Sequence, residues 1–209
     1  MLHIFGGGTV YHVRNHLALC APAYGSTARL LHSRFAAKCP VTLHLTKMAD
    51  PASKLETNAH VATRLTSVLL APETTGIIFN VALCDYEGHI GSVPSGKYAE
   101  RLRSREGEQL LRLTPADKLL ARVKASRPDV ALVGFKTTAG ADMDEQVDLS
   151  TRQLNESGAD YVFANDTVTR ANMLVSNSKQ GAFVLAYGLR DDVLDALVAT
   201  LAHDAKVRA

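Results

Sequence analysis

Three glycines and a threonine, Gly6-Gly7-Gly8-Thr9, follow the apolar run Leu2 to Phe5. A glycine turn after a first strand lets backbone N–H groups approach phosphate oxygens closely, although a plain turn has the same composition. The segment is not a P-loop, because GxxxxGK[ST] is absent, and Tyr11 stands where the third glycine of a dinucleotide fingerprint belongs. Asp85 follows the apolar run Ile77 to Leu83 and Cys84, which puts it at the carboxyl end of a strand. There it can hold a metal ion or a sugar hydroxyl, or merely cap the strand. Gly134-Phe135-Lys136 and Ala164-Asn165-Asp166 take the same place on two further strands. Strand ends and a glycine loop meeting on one edge predict a nucleotide-sized site. His12, His16 and Cys20 recur at every fourth position and could be drawn as a zinc site on a helix, but no fourth ligand has a telling spacing, so they read as surface or loop residues. GxSxG is absent and no serine or cysteine is marked as a nucleophile, which leaves hydrolase chemistry without support.

The elements that must position these residues follow from apolar patterning. Leu2 to Phe5, Ile77 to Leu83, Val130 to Val133 and Tyr161 to Ala164 read as strands buried on both faces, while Val41 to Leu45 alternates with polar residues. Helical faces lie between them: Val61, Leu65, Val68 and Leu69; then Leu119, Leu120 and Val123; then Val193, Leu194, Leu197, Val198 and Leu201. Alternating strands and helices predict an α/β fold, a Rossmann-like mostly parallel sheet with helices on both faces. The spacing predicts an irregular loop from Thr9 to a helix starting near Ala23 or Tyr24, and a helix from Pro115, capped by Thr114 with Asp117 at N3, that stops before Pro128. Asn172 to Ser176 and Ala182 to Tyr187 flank Asn177-Ser178-Lys179-Gln180-Gly181 and predict a C-terminal hairpin on the sheet edge. Residues 87–113 carry four glycine or proline breaks and then mixed charges, too long for an ordinary connection, and read as a protruding flap or arm, or as a solvated hairpin.

Composition bounds the function. A chain of 209 residues with 46% hydrophobic and 21% charged residues is an ordinary globular chain, read as one domain over 1–209 with an arm. A formal charge of +2 is too balanced for binding to nucleic acid or an anionic membrane by bulk electrostatics. Cys20, Cys39 and Cys84 are few and scattered, which fits a reducing compartment such as the cytoplasm. No charged-then-apolar leader opens the sequence and no apolar stretch is long enough to span a bilayer.

In order, these segments resemble the phosphopantothenoylcysteine synthetase (phosphopantothenate-cysteine ligase) family, in a form without the flavoprotein decarboxylase half. Gly6-Gly7-Gly8-Thr9 is similar to the family's Ser/Ala-Gly-Gly-Thr loop, and Val81-Ala82-Leu83-Cys84-Asp85-Tyr86 to its Ala-Ala-Val-Ala-Asp-Tyr/Phe strand end. Ser95-Gly96-Lys97 resembles the start of the flap, Val133-Gly134-Phe135-Lys136 the Val-Gly-Phe segment, and Ala164-Asn165-Asp166 the Ala-Asn-Asp turn. The resemblance implies activation of a carboxylate, that of 4′-phosphopantothenate or a related acid, by CTP or ATP with magnesium. An acyl-nucleotidylate and pyrophosphate would form, and the amine of cysteine or a related compound would then attack. It implies Gly6, Gly7, Gly8 and Thr9 near the phosphates, and Ala82, Asp85, Gly134, Phe135, Lys136, Ala164, Asn165 and Asp166 near base, ribose or magnesium, with Asp85 as the metal ligand. Lys97 would neutralise charge as the acyl phosphate forms. A homodimer through the arm and no flavin are also implied. The sequence departs from the family at Leu17-Ala18-Leu19-Cys20-Ala21-Pro22, where an Asn-x-Ser-Ser-Gly loop is expected. Asn15, the nearest amide, could substitute for its asparagine. The departure leaves open a nucleotide-binding relative without ligase activity, or one with a different acid or amine.

Overall fold

The computed structural model describes residues 1–178, 181–204 and 207. In chain order it runs β1 (Leu2–Gly8), β2 (Val10–Arg14), β3 (Leu17–Cys20), α1 (Ser26–Ala36), β4 (Val41–Leu45), α2 (Asn58–Leu70), β5 (Gly76–Ala82), β6 (Tyr86–Ile90), β7 (Leu111–Pro115), α3 (Leu120–Ser126), β8 (Ala131–Thr138), α4 (Met143–Ser157), β9 (Tyr161–Asp166), β10 (Asn172–Ser178), β11 (Gly181–Gly188) and α5 (Arg190–His203). The main sheet has the order β4-β1-β5-β8-β9-β10-β11. Its first five strands are parallel, and β10 and β11 add an antiparallel edge. The mixed α/β fold read from the sequence is the one found.

Parallel strands need crossovers, and the crossovers bury the sheet on both faces, which is why these strands read as unbroken apolar runs. One face packs Ile4, Ile78, Val133 and Phe163 against Leu31 and Phe35 of α1 and Leu194, Leu197 and Leu201 of α5. The other packs Phe5, Ile77, Leu132 and Val162 against Val61 and Leu65 of α2, Val123 of α3 and Leu154 of α4. Fully burying a Leu, Ile or Phe contributes roughly 1.5–3 kcal/mol, so these two layers dominate the stability. The residues expected on the last helical face, Val193, Leu194, Leu197, Val198 and Leu201, are all buried. α2 is fixed at its start by a capping box in which Thr57 accepts from the His60 N–H at 3.3 Å and His60 Nδ1 accepts from the Thr57 N–H at 3.3 Å.

Two local expectations are corrected. The stretch after Thr9 is not an irregular loop but the antiparallel hairpin β2–β3, which turns at Asn15-His16. Val10, Val13, Leu17 and Leu19 suffice for strand pairing once the hairpin lies against β6, and Val13 becomes fully buried. Thr114 and Pro115 do not open a helix. They end β7, which pairs antiparallel with β6, and α3 starts only at Leu120. Cross-strand pairing outweighs the cap signal: Thr114 Oγ1 lies 3.2 Å from His89 Nε2, and the Ala116 N–H donates to the Asp85 carbonyl at 2.8 Å. β6 and β7 form the base of the arm, whose outer part holds one 3-10 turn at Ser104–Glu106. The edge hairpin is present as β10 and β11, with a register shift between Leu174 and Val175. Lys179 and Gln180 of its expected loop lie outside the described residues.

Candidate active site

In a doubly wound sheet the ligand crevice opens at the carboxyl ends of the strands where the order reverses, here between β1 and β5. This crevice is laced shut by side chains. Thr9 Oγ1 donates to Asn58 Oδ1 at 2.6 Å and accepts from the Cys84 N–H at 2.9 Å, while Asn58 Nδ2 donates to the Cys84 carbonyl at 2.8 Å. The glycine turn is covered as well. The Gly8 N–H donates to the Ala23 carbonyl at 2.7 Å, and a Cβ at Gly8 would collide with the Ala21 carbonyl oxygen. Gly7 has φ +98°, where an L side chain is strained, and a Cβ there would strike Thr46. The glycines Gly6, Gly7 and Gly8 thus admit close approach, and Ala28 of α1 and residues 21–23 and 46–49 of the chain itself make that approach.

The open volume lies one strand further on. A cleft of about 630 Å³ sits at the carboxyl ends of β5 and β8, between α3 and α4. Phe79, Val81, Leu83 and Leu120 give it an apolar floor. Lys118, Lys136 and Arg152 stand on its walls with Asp85 and Glu156, so cations exceed carboxylates by one. Phe135 borders the cleft, but its ring stacks on Phe163 with centroids 5.1 Å apart, toward the α1 and α5 face of the sheet. Gly134 has no side chain where Gln153 crosses the strand. Its Cβ would lie 2.5 Å from Gln153 Nε2, which instead donates to the Phe135 carbonyl at 3.3 Å. An apolar floor with three cations suits a multiply anionic ligand that also carries an apolar part.

Among the residues singled out from the sequence, Ala82, Asp85, Phe135 and Lys136 line this cleft and Gly134 shapes it, whereas Ala164, Asn165 and Asp166 do not line it. Asp166 is buried and spends its carboxylate inside the fold, accepting from Thr138 Oγ1 at 2.8 Å and from the N–H groups of Gly140, Ala141, Val168 and Thr169 at 2.7–3.0 Å. Burial alone would raise its pKa, but these donors outweigh burial and hold the carboxyl far below the usual range. Asn165 meets Thr137 Oγ1 at 3.2 Å. Asp85 Oδ1 accepts from Lys118 Nζ at 2.5 Å, with both side chains exposed. Asn15 is exposed in the hairpin turn, with Oδ1 at 3.0 Å from His16 Nδ1 and its N–H donating to Ala99 of the arm.

Lys97 reaches back from the arm to Glu56 Oε2 at 2.6 Å, beside the N-terminus of α2. Glu56 lies below the usual carboxylate range chiefly through this hydrogen bond, and Lys97 is raised by the same contact. His12, His16 and Cys20 are spread along the hairpin. Among the described residues no group of three or more His, Cys, Asp or Glu is placed to hold a metal ion. Sequence reasoning missed Asn58, Glu56, Lys118 and Arg152. Only Asn58 had a usable signal, the capping threonine just before it. No helix among the described residues is long and apolar enough to cross a membrane.

No protein-family model matches the chain. The coenzyme A biosynthesis bifunctional protein CoaBC of Thermococcus kodakarensis is 28% identical over 131 residues, 60% of this chain, and the matched part spans 30% of that relative's length. The DNA/pantothenate metabolism flavoprotein from Streptococcus pneumoniae has a similar structure, with a TM-score of 0.78 and 17% identity over 96% of this chain and 97% of that one. The C-terminal domain of CoaBC follows at a TM-score of 0.65 and 13% identity, covering 96% and 93% of the two chains. A Cab2 variant in complex with phosphopantothenate-cysteine aligns at a TM-score of 0.64 and 13% identity over 96% of this chain and 84% of that one. At such identities the structural likeness concerns the fold. In fold, and in sequence over the matched segment, the chain is similar to these proteins of coenzyme A biosynthesis.

Proposed function

We propose that the chain is a nucleotide-dependent carboxylate–amine ligase of coenzyme A biosynthesis. It joins 4′-phosphopantothenate, or a closely related acid, to cysteine through an acyl-nucleotidylate with release of pyrophosphate. The observation that carries this reading is the cleft at the ends of β5 and β8, with its apolar floor and its cations Lys118, Lys136 and Arg152, on a fold similar to that of a protein whose complex holds phosphopantothenate-cysteine. The base would lie against the floor of Val81, Leu83 and Leu120 and the phosphates would run along the cations. Phosphoryl oxygens need positive charge as the acyl phosphate forms and pyrophosphate departs, and Lys97 would supply it from the arm. Magnesium is commonly held by one or two carboxylates together with substrate phosphates, and Asp85 at the cleft mouth fits that role once Lys118 turns to the phosphates. A homodimer through the arm belongs to the same reading.

One observation favours a second reading, a nucleotide-binding relative that acts on another acid or none. The segment Leu17 to Pro22, in place of the Asn-x-Ser-Ser-Gly loop, forms β3 and leads into the strap that covers Gly8. Pyrophosphate release with each of magnesium, CTP or ATP, 4′-phosphopantothenate and cysteine omitted in turn separates the two. The ligase reading predicts release that requires nucleotide and acid, with product only when cysteine is present. Nucleotide binding without release under every combination would favour the second.

A further inference from the structure

The arm between β6 and β7 needs a contact that fixes it, because residues 91–110 add almost nothing to the core. Leu110 and Tyr98 are exposed, and a Cβ placed on Gly91, Gly96 or Gly107 would meet nothing within 4 Å. The segment 95–99 is held by Ser95 Oγ donating to the Gly88 carbonyl at 2.6 Å, by the Asn15 N–H donating to the Ala99 carbonyl at 3.2 Å, and by Lys97 on Glu56. The first two use backbone partners within the arm base and the neighbouring hairpin. Among the described residues, Lys97–Glu56 is the one ion pair that joins residues 91–110 to the rest of the molecule.

Glu56 is built as an anchor. It directly precedes the Thr57 cap of α2, and the favourable field of a helix N-terminus acts on its charge. Its carbonyl accepts from the Val10 N–H at 3.0 Å and its own N–H donates to His60 Nδ1 at 3.3 Å, so its backbone is tied to both β2 and α2. The side chain is only 19% exposed, and three basic groups from separate segments converge on it: Lys97 from the arm at 2.6 Å, His12 Nε2 from β2 at 3.6 Å and Lys47 from the loop after β4 at 3.7 Å. His12 Nε2 is buried without a hydrogen-bond partner and faces Glu56 Oε1.

We propose that Glu56 docks the arm, so that this carboxylate is the positioning residue that sets where Lys97 stands beside the crevice between β1 and β5. Nothing in the reaction chemistry requires a carboxylate at this place; its function is to choose one arm position among many. The catalytic consequence rests on the ligase reading above, but the docking itself does not.

Trypsin decides it without any substrate, because Arg101, Arg103 and Arg105 on the arm are cleaved only as the arm opens far enough to enter a protease, and cleavage then follows the open population. The full chain is compared with Glu56→Gln, Lys97→Met, the double variant and Lys47→Ala, with fragments assigned by mass. Docking predicts arm cleavage about fivefold faster in Glu56→Gln and in Lys97→Met, no further gain in the double variant, and a wild-type rate that rises with salt as the pair is screened. Lys47→Ala, which leaves the arm contact in place, is expected within about twofold of wild type. Unchanged arm cleavage in both Glu56→Gln and Lys97→Met overturns the proposal, and Lys97→Met, altered at an exposed side chain, keeps the test valid should Glu56→Gln fold poorly. Where pyrophosphate is released, Glu56→Gln lowers kcat about tenfold and leaves the nucleotide KM within about twofold, with part of the loss recovered in Glu56→Asp. Faster arm cleavage in a protein that releases no pyrophosphate would uphold docking and count against the ligase reading alone.

Discussion

The crevice between β1 and β5 and the cleft between β5 and β8 are neighbours on one sheet edge, yet they solve opposite problems. At the first, Thr9, Asn58 and Cys84 satisfy one another and residues 21–23 close over Gly8, so these polar groups find their partners within the chain. At the second, Lys136 and Arg152 stand over an apolar floor, with no carboxylate paired to either among the described residues. A glycine-rich turn therefore marks where backbone segments approach closely, which is a packing demand, whereas a surplus of cations over an apolar floor marks where a ligand would complete the structure.

The contrast can be broken from its closed side first. Gly8→Ala forces a Cβ into the Ala21 carbonyl, and we expect a loss of about 3 kcal/mol in denaturant-induced unfolding, because neither backbone can retreat without breaking the Gly8–Ala23 hydrogen bond. A loss under about 0.5 kcal/mol would mean that the strap is loose and that phosphate could enter there. A smaller effect lies beneath the same side. His3 Nδ1 and His44 Nε2 are 3.0 Å apart in stacked rings, and both are lowered chiefly by burial, His44 to about 4 with further contributions from His3 and Arg64. Both are neutral in the fold while the unfolded chain takes up protons near pH 6.5, so stability is full above that pH and falls as pH drops from about 6.5 to 4. The loss is on the order of 2 kcal/mol after allowing for partial exposure, and His44→Phe should flatten the pH profile of thermal unfolding in that window. An unchanged profile would remove the pair from the account. The smallest effect belongs to the open side: Lys118→Ala, which deletes an exposed pair with Asp85, should alter stability by less than about 1 kcal/mol while weakening nucleotide binding a few-fold.

Much of the sheet was legible because a strand buried on both faces leaves an apolar run, as at Ile77 to Leu83, and a helix such as α5 leaves a face. The hairpin β2–β3 was not, since its strands are short and gain burial only against β6. Thr114-Pro115-Ala116-Asp117 misled because a cap sequence is a local signal, and the pairing of β7 with β6 overrode it. The site divides in the same way. Ala82 and Asp85 stand at the end of β5, which sequence order places, but Lys118, Arg152 and Glu56 are ordinary surface charges until the topology sets α3 and α4 over the cleft and the arm over α2.

The most direct test of the open cleft is the equilibrium affinity of CTP or ATP, measured by calorimetry, for the wild-type chain and for Lys136→Ala/Arg152→Ala. The expected result is a dissociation constant raised about 100-fold, roughly tenfold for each lost phosphate partner, with an unchanged unfolding midpoint. Nucleotide binding that survives this change within a few-fold would contradict it and return the phosphates to the glycine turn.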